Sequence, residues 1–267
     1  DPYVSFANCG LPYYVAGEIR ERDDLLLHTP ESLAASLALD VRIGHEVISI
    51  DRAARTITVR TPDGTEAVEP YDVLVLSTGA APIIPPIDGL ELPEVRRRTH
   101  VLRNVPDVDA ITALVDQGAK TAVILGAGFI GLEMTEALVN RGVSVALVDL
   151  ANQVLSPLDP EMARTVQTEL TRAGVDVHLG VSATAIDDTA VTLSDGTRLP
   201  ADLVVMAIGV RPESDLAVAA GLEQGVRGAI RVNGHSLTSD PAIYAVGDSV
   251  EVTDAVTDQV GVVPLAG

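Results

Sequence analysis

Tryptophan is absent from the 267-residue chain and phenylalanine occurs only twice. A core must therefore be built from Ala, Val, Leu and Ile, which favours a sandwich of sheet and helices. Cysteine occurs once, as Cys9. That excludes an internal disulfide framework, agrees with a reducing compartment, and excludes a redox centre of two cysteines within one chain. Basic residues are scarce: 18 Lys and Arg stand against 38 Asp and Glu, giving a formal charge of −20, and Lys120 is the only lysine. Such a surface repels phosphate backbones and anionic membranes, so nucleic acid is not an expected partner. No apolar run approaches the roughly 20 residues needed to cross a bilayer, and no basic stretch leading into an apolar one opens the chain. A cytoplasmic location is expected. His28, His45, His100, His178 and His235 lack the spacing of a metal site, and no metal is expected.

Apolar residues make up 47% of the sequence, enough to fill the cores of two ordinary domains. An internal repeat then sets the architecture. Residues 47–82 and 183–212 each contain an Ile-Asp pair, an alternating strand, an Asp-Gly-Thr turn, another Asp, an apolar run and a Gly followed by Pro, at an offset of about 130 residues. The alternating stretches predict half-exposed strands joined by hairpin turns. The uninterrupted runs VLVLS and LVVMAIG predict strands buried on both faces of a parallel sheet. Each copy reads as the back half of a nucleotide-binding α/β domain.

The second copy has a front half. TAVILG at 121–126 predicts a buried strand, 129–141 a helix, VSVALVD at 143–149 a second strand, and 160–173 a helix that opens with Pro160 and closes at Gly174. Nothing comparable precedes the first copy, and both ends of the chain look cut, so its front is expected upstream of Asp1. The predicted fold is α/β, with two duplicated Rossmann-like, three-layer nucleotide-binding domains, the first incomplete.

GAGFIG at 126–131 lies between a predicted strand and a predicted helix. Gly126 permits the tight turn, Gly128 lets the backbone approach a pyrophosphate, and Gly131 allows close packing of helix on strand. Phe129 and Ile130 complete the loop, and the helix N-terminus offers its unpaired N–H groups to phosphate. Asp149 ends the next strand 23 residues after Gly126, where its carboxylate can accept from ribose hydroxyls. No Arg or Lys occurs between Asp149 and Arg164, which favours NADH over NADPH. Two readings stand for Glu133: an acid complementing the helix dipole, or a contact to the nicotinamide carboxamide.

SFANCGLPYY at 5–14 places Cys9 before Gly10 and Pro12, at the entry to a helix expected to run to about Arg20. The helix N-terminus favours the thiolate, which is the nucleophilic form. A lone cysteine is otherwise most simply an inert buried residue. This segment resembles the active-site segment of the coenzyme A disulfide reductase group of the FAD-dependent pyridine nucleotide-disulfide oxidoreductases, which also includes persulfide reductases and NADH oxidases. LSTGAAP at 76–82 is similar to the family's flavin-domain strand end, AIGVRPES at 207–214 to the strand end of its NAD domain, and TSDPAIYAVGD at 238–248 to its second flavin motif.

The resemblance implies FAD and NADH as cofactors and coenzyme A as substrate or product. It implies an FAD-binding domain in 1–104 with a return segment in 226–267, an NAD(P)H-binding domain in 105–225, and a homodimer for the whole protein. By position, Cys9 is the redox sulfur, and Ser5 and Asn8 line the thiol end of coenzyme A. Val47, Thr78, Gly79, Gly247 and Asp248 contact FAD, as does the backbone of Leu265 and Ala266, and Gly209 lies on the NAD side. Arg42 is placed to meet coenzyme A phosphates, though a solvated surface arginine is an equal reading. With a single cysteine, electrons passed from NADH to FAD reach a mixed disulfide between Cys9 and its substrate. A sulfenic acid on Cys9 would instead make an NADH oxidase or peroxidase, and a third reading is a non-catalytic NAD(H)-binding module.

Overall fold

The computed structural model describes residues 2–263. Near the start, β1 (Ser5–Phe6) leads through a 3-10 turn (Asn8–Gly10) into α1 (Leu11–Ala16), and β2 (Leu26–His28) returns to pair with β1. Pro12 sits in the first turn of α1, where a missing N–H costs nothing. The sequence suggests a helix to about Arg20, but α1 stops at Ala16. Gly17 turns left-handed at φ +80° and its N–H closes on the Tyr14 carbonyl. α2 (Pro30–Leu37) follows, opened by reciprocal bonds between Thr29 and Ser32.

The duplication is realised strand for strand. β3 (Glu46–Asp51), β4 (Thr56–Arg60) and β5 (Glu66–Pro70) form an antiparallel sheet, followed by β6 (Leu74–Leu76) and β7 (Ala80–Pro82). The chain then runs through α3 (Pro93–Arg96), β8 (Thr99–Val101), α4 (Val105–Asp116), β9 (Thr121–Leu125), α5 (Phe129–Asn140), β10 (Ser144–Asp149), α6 (Pro160–Arg172) and β11 (Asp176–Leu179). The second series is β12 (Ala183–Ile186), β13 (Ala190–Leu193) and β14 (Arg198–Pro200), again antiparallel, then β15 (Leu203–Met206) and β16 (Val210–Pro212). The repeated aspartates fill the same posts in both copies. Asp51 accepts from the N–H groups of Ala53 and Ala54, and Asp187 from those of Thr189 and Ala190. Asp63 and Asp195 each accept from the N–H two residues on. These acids are turn-formers.

Five parallel strands in the order β11-β10-β9-β15-β8 make the large sheet. β15 is buried along its whole length, as its apolar run predicts. Its counterpart β6 departs from that expectation: Leu76 is buried, while Val73 and Val75 are exposed. The leucine face of β6 packs into a cluster with Ile50, Ile230, Ile243 and Ala245, and among the described residues nothing comparable covers the valine face. After α7 (Asp215–Ala219), β17 (Ile243–Ala245) pairs with β6 in parallel, and β18 (Val252–Thr253) pairs with β19 (Val260–Gly261). Another core cluster joins Val123, Leu125, Val148 and Val204 of the parallel sheet to Ile186, Val191 and Leu193. Each such aliphatic side chain contributes about 1.5–3 kcal/mol by leaving water.

The described chain separates into two compact units. One holds the first few residues, His28–Ala81 and the stretch from Val210 onward; the other holds Ser5–Leu27 and Pro82–Gly209. The Cys9 segment thus groups with the glycine-loop sheet, because α1 packs on α4 and α5. Among the described residues no helix is long and apolar enough to cross a membrane.

Hydrogen bonds from hydroxyls and backbone N–H groups hold several aspartates below the usual carboxylate range. The Thr61 hydroxyl lowers Asp63 to about 2, the Thr189 hydroxyl lowers Asp187, and the Lys120 N–H lowers Asp202. Their folded values lie below the unfolded reference near 3.9. The stability they confer is therefore complete above that reference and is lost as pH falls through the folded values. On account of these aspartates the thermal midpoint is expected to drop between about pH 4 and 2. A midpoint that stays level across the acid range would contradict this.

Candidate active site

All five strands of the large sheet leave their C-terminal ends on one edge. β9 runs into Gly126, β10 ends at Asp149, and β15 runs toward Gly209. The strand order reverses between β9 and β15, the position where open α/β sheets receive ligands. Gly126 has φ +109°, and a Cβ there would lie 2.3 Å from the Ala207 carbonyl oxygen. A Cβ on Gly131 would lie 1.9 Å from the Gly126 oxygen. The fold itself therefore demands both glycines. Gly128 is different: its φ is −81°, and a Cβ there would meet nothing within 4 Å. Clear space over that backbone is what a closely approaching pyrophosphate needs, so the cradle fits a dinucleotide. Gly128 caps α5 without a side-chain bond to the first-turn N–H groups, and Phe129 and Ile130 stand exposed beside it.

Asp149 does more than end a strand. Its Oδ2 accepts from the Ala127 N–H at 2.6 Å and its Oδ1 from the Ala151 N–H at 2.7 Å, strapping the glycine loop to the turn after β10. Each oxygen keeps lone-pair capacity for a ribose hydroxyl. Leu150 follows largely in solvent at 72% exposure, an apolar neighbour where a 2′-phosphate would require a cation.

Glu133 lies on α5. Partial burial first, and the like charge of Glu136 second, hold its carboxyl above the ordinary range, although the residue as a whole is exposed. Its charged form is the disfavoured one, so the penalty is absent below the unfolded value and grows as pH rises through the folded one. Glu133→Gln is expected to raise the unfolding free energy by a few tenths of a kcal/mol at pH 7 and to leave it unchanged at pH 3.5. Equal effects at both pH values would remove the electrostatic explanation.

Cys9 is exposed in the 3-10 turn before α1, and Asn8 is exposed beside it. Ser5 is half-buried in β1. The inert buried reading of a lone cysteine therefore does not apply. α1 buries Leu11, Pro12 and Val15 and packs against α5. Between the two helices a small cleft is lined by Pro12, Tyr13, Ala16, Glu133, Glu136 and Ala137, among others. Sulfur segment and glycine loop thus share one helix. Sequence reasoning missed the polar ties of this segment, Arg22 to Asp109 and Arg141 to the Val15 carbonyl. Their partners lie 87 and 126 residues away, and no local pattern announces them.

In the other unit, β6 and β17 are parallel neighbours, so Thr78 and Gly79 leave the sheet beside Gly247 and Asp248. The Val246 N–H donates to the Leu76 carbonyl at that edge. Thr78 donates to the Glu213 carbonyl and Gly79 accepts from the Glu213 N–H, joining the strand ends of the two repeats. Gly79 and Gly209 are both left-handed, at φ +71° and +99°. Val47 is exposed at an irregularity in the β3–β4 pairing. Arg42 is paired with Asp40 and Glu69, which accounts for it without a ligand. Leu265 and Ala266 lie outside the described residues. Among the described residues no group of three or more His, Cys, Asp or Glu side chains is placed to hold a metal.

The family model described as pyridine nucleotide-disulphide oxidoreductase matches residues 3–263. A protein of Methanocaldococcus jannaschii named NADH oxidase is 40% identical over 261 residues, covering 96% of this chain and 57% of that protein. The coenzyme A disulfide reductase of Staphylococcus haemolyticus is 33% identical over 268 residues, covering 100% of this chain and 59% of the relative. The crystal structure of reduced CoADR-RHD from Bacillus anthracis superposes with a TM-score of 0.96 at 45% identity, covering 99% of this chain and 48% of that one. The chain thus spans less than two thirds of the length of these relatives. A glycine cradle on a parallel sheet, an exposed cysteine just before a helix that packs on the cradle's own helix, and a family match running through both units lead to one assignment: the chain belongs to the pyridine nucleotide-disulphide oxidoreductase family.

Proposed function

We propose that the protein containing this chain is an FAD-dependent NAD(P)H oxidoreductase, with NADH preferred, that reduces coenzyme A disulfide or a related persulfide through Cys9. The observation that carries this reading is the placement of an exposed Cys9 on a segment packed against α5, the helix whose N-terminus is the glycine loop. The residues divide the work. Gly128 and the first turn of α5 seat the pyrophosphate, and Asp149 accepts from the adenosine ribose. Glu133 lines the cleft shared with α1, and the edge formed by Thr78, Gly79, Gly247 and Asp248 is where the flavin nucleotide would be held. Bound FAD supplies a carrier that can accept a hydride and give up an electron pair.

Cys9 thiolate attacks one sulfur of the substrate disulfide, so that the S–S bond breaks, one thiol leaves and a mixed disulfide remains on Cys9. Two electrons, originating in NADH, and a proton then free the second thiol and restore Cys9. The balance is one NADH and one proton consumed for two thiols formed. The acidic surface disfavours nucleic acid, and assembly as a homodimer rests on the family resemblance alone.

A second reading is supported by the relative named NADH oxidase: Cys9 would then cycle through a sulfenic acid with oxygen or peroxide as acceptor. Thiol release and oxygen uptake, measured in parallel with the holoenzyme, NADH and coenzyme A disulfide, separate the two. Two thiols per NADH with little oxygen consumed is the expected result. Oxygen uptake matching NADH loss without thiol release would replace the first reading by the second.

A further inference from the structure

We propose that Arg141 and Arg22 are positioning residues that set the place of Cys9 from outside its own segment; this rests on Cys9 being the reactive sulfur. α1 has six residues, far fewer than a helix needs to hold itself in water. Its buried side chains, Leu11, Pro12 and Val15, press it onto α4 and α5. Apolar contact is non-directional, however, and leaves sliding and rotation poorly defined. Direction must come from hydrogen bonds, and besides the β1–β2 pairing two ties reach the segment on either side of Cys9.

The first is the C-terminal end of α1. Tyr13 O accepts from Glu18 and Ile19, and Tyr14 O from Gly17, so those two carbonyls are satisfied within the turn. The next carbonyl, that of Val15, is taken by Arg141 Nη1 at 2.8 Å. The same guanidinium pairs through Nη2 with Asp116, the last residue of α4, and Arg141 is itself the C-cap of α5. One cation therefore ties the C-terminal ends of three helices, where positive charge is favoured, and its side chain is only 26% exposed.

The second point is Ala7, upstream of Cys9, reached through the turn that Arg22 opens. Arg22 forks onto Asp109 of α4, with Nε at 2.9 Å from Oδ1 and Nη2 at 2.7 Å from Oδ2, a geometry that fixes orientation as well as distance. Arg22 opens the short turn ending at Leu25, and the Leu25 carbonyl accepts from the Ala7 N–H at 2.8 Å. Between the two clamps Gly10 is hemmed in: a Cβ there would meet Ala7, Ile19 and Leu25 at 3.1–3.3 Å. Cys9 stands on the stretch held between Ala7 and Val15. The segment is thus registered on α4 and α5, the same α5 that begins at the nucleotide loop.

The test compares Arg141→Gln, Arg141→Lys and Arg22→Gln in the holoenzyme. Because a displacement of about 1 Å at a reacting centre can cost about 100-fold, Arg141→Gln and Arg22→Gln are each expected to lower kcat for disulfide reduction about tenfold or more. The KM for NADH and the rate of flavin reduction by NADH should stay at wild-type values. Arg141→Lys should recover much of the loss, since an ammonium can still donate to the Val15 carbonyl. Variants that merely lose thermal stability, with disulfide turnover intact, would overturn the proposal, as would equal losses in flavin reduction and disulfide turnover. Should Arg141→Gln fail to fold, Arg22→Gln and Arg141→Lys decide between the same outcomes. The rate at which Cys9 reacts with an aromatic disulfide reagent, measured in each variant without NADH, tests the clamps even if Cys9 proves not to be the redox centre: a lowered rate supports them, an unchanged one removes them.

Discussion

Replacing Cys9 by serine is expected to abolish coenzyme A disulfide reduction by the holoenzyme while NADH continues to reduce its flavin at the wild-type rate. The two side chains are nearly the same size, and position 9 is exposed in a turn, so stability should change by no more than about 0.5 kcal/mol. The chemistry changes far more. Sulfur enters the exchange as a thiolate and becomes half of a mixed disulfide; a hydroxyl neither ionises near neutral pH nor forms that bond. Thiol release should fall by several orders of magnitude. Stopped-flow absorbance of the flavin and a chromogenic thiol assay, run on one preparation, separate the two half-reactions. Unchanged thiol release in Cys9→Ser would remove the sulfur from the mechanism.

The converse loss is expected from Gly126→Ala. At φ +109° an alanine is strained, and its Cβ would sit 2.3 Å from the Ala207 oxygen and 2.6 Å from the Ala207 carbon. Neither neighbour is a flexible side-chain tip. Holding such a conformation costs of the order of 1–3 kcal/mol, and relief requires the loop carrying Gly128 to move away from the end of β15. The KM for NADH should rise about tenfold or more, since each 1.4 kcal/mol of lost binding is a factor of ten. Reaction of Cys9 with a thiol reagent should persist. Gly128→Ala provides the contrast: the fold has room for that methyl, so thermal stability should hold while dinucleotide affinity falls. Normal NADH affinity in both variants would mean that the dinucleotide lies elsewhere.

Much of this was legible in the residues because it is local. The duplicated turn chemistry of Asp51 and Asp187, and of Asp63 and Asp195, depends on hydrogen bonds spanning two or three residues. The strand, glycine loop and helix of 121–140 depend on periodicity and on the steric freedom of glycine. The over-long reading of α1 came from the same kind of logic, since nothing before Gly17 shows that this glycine, and no later residue, would turn left-handed.

By itself the sequence determined the duplication, the glycine cradle, the acid at the end of β10 and the candidate sulfur, each set by neighbours in the chain. Only the tertiary structure decided which unit holds Cys9, that Asp149 straps the loop through Ala127, that among the described residues the valine face of β6 is exposed, and that Arg22 and Arg141 grip the sulfur segment. Those pairings join residues from 22 to 126 positions apart, and for such contacts the chain encodes side-chain chemistry but not proximity, which arises only when the helices pack.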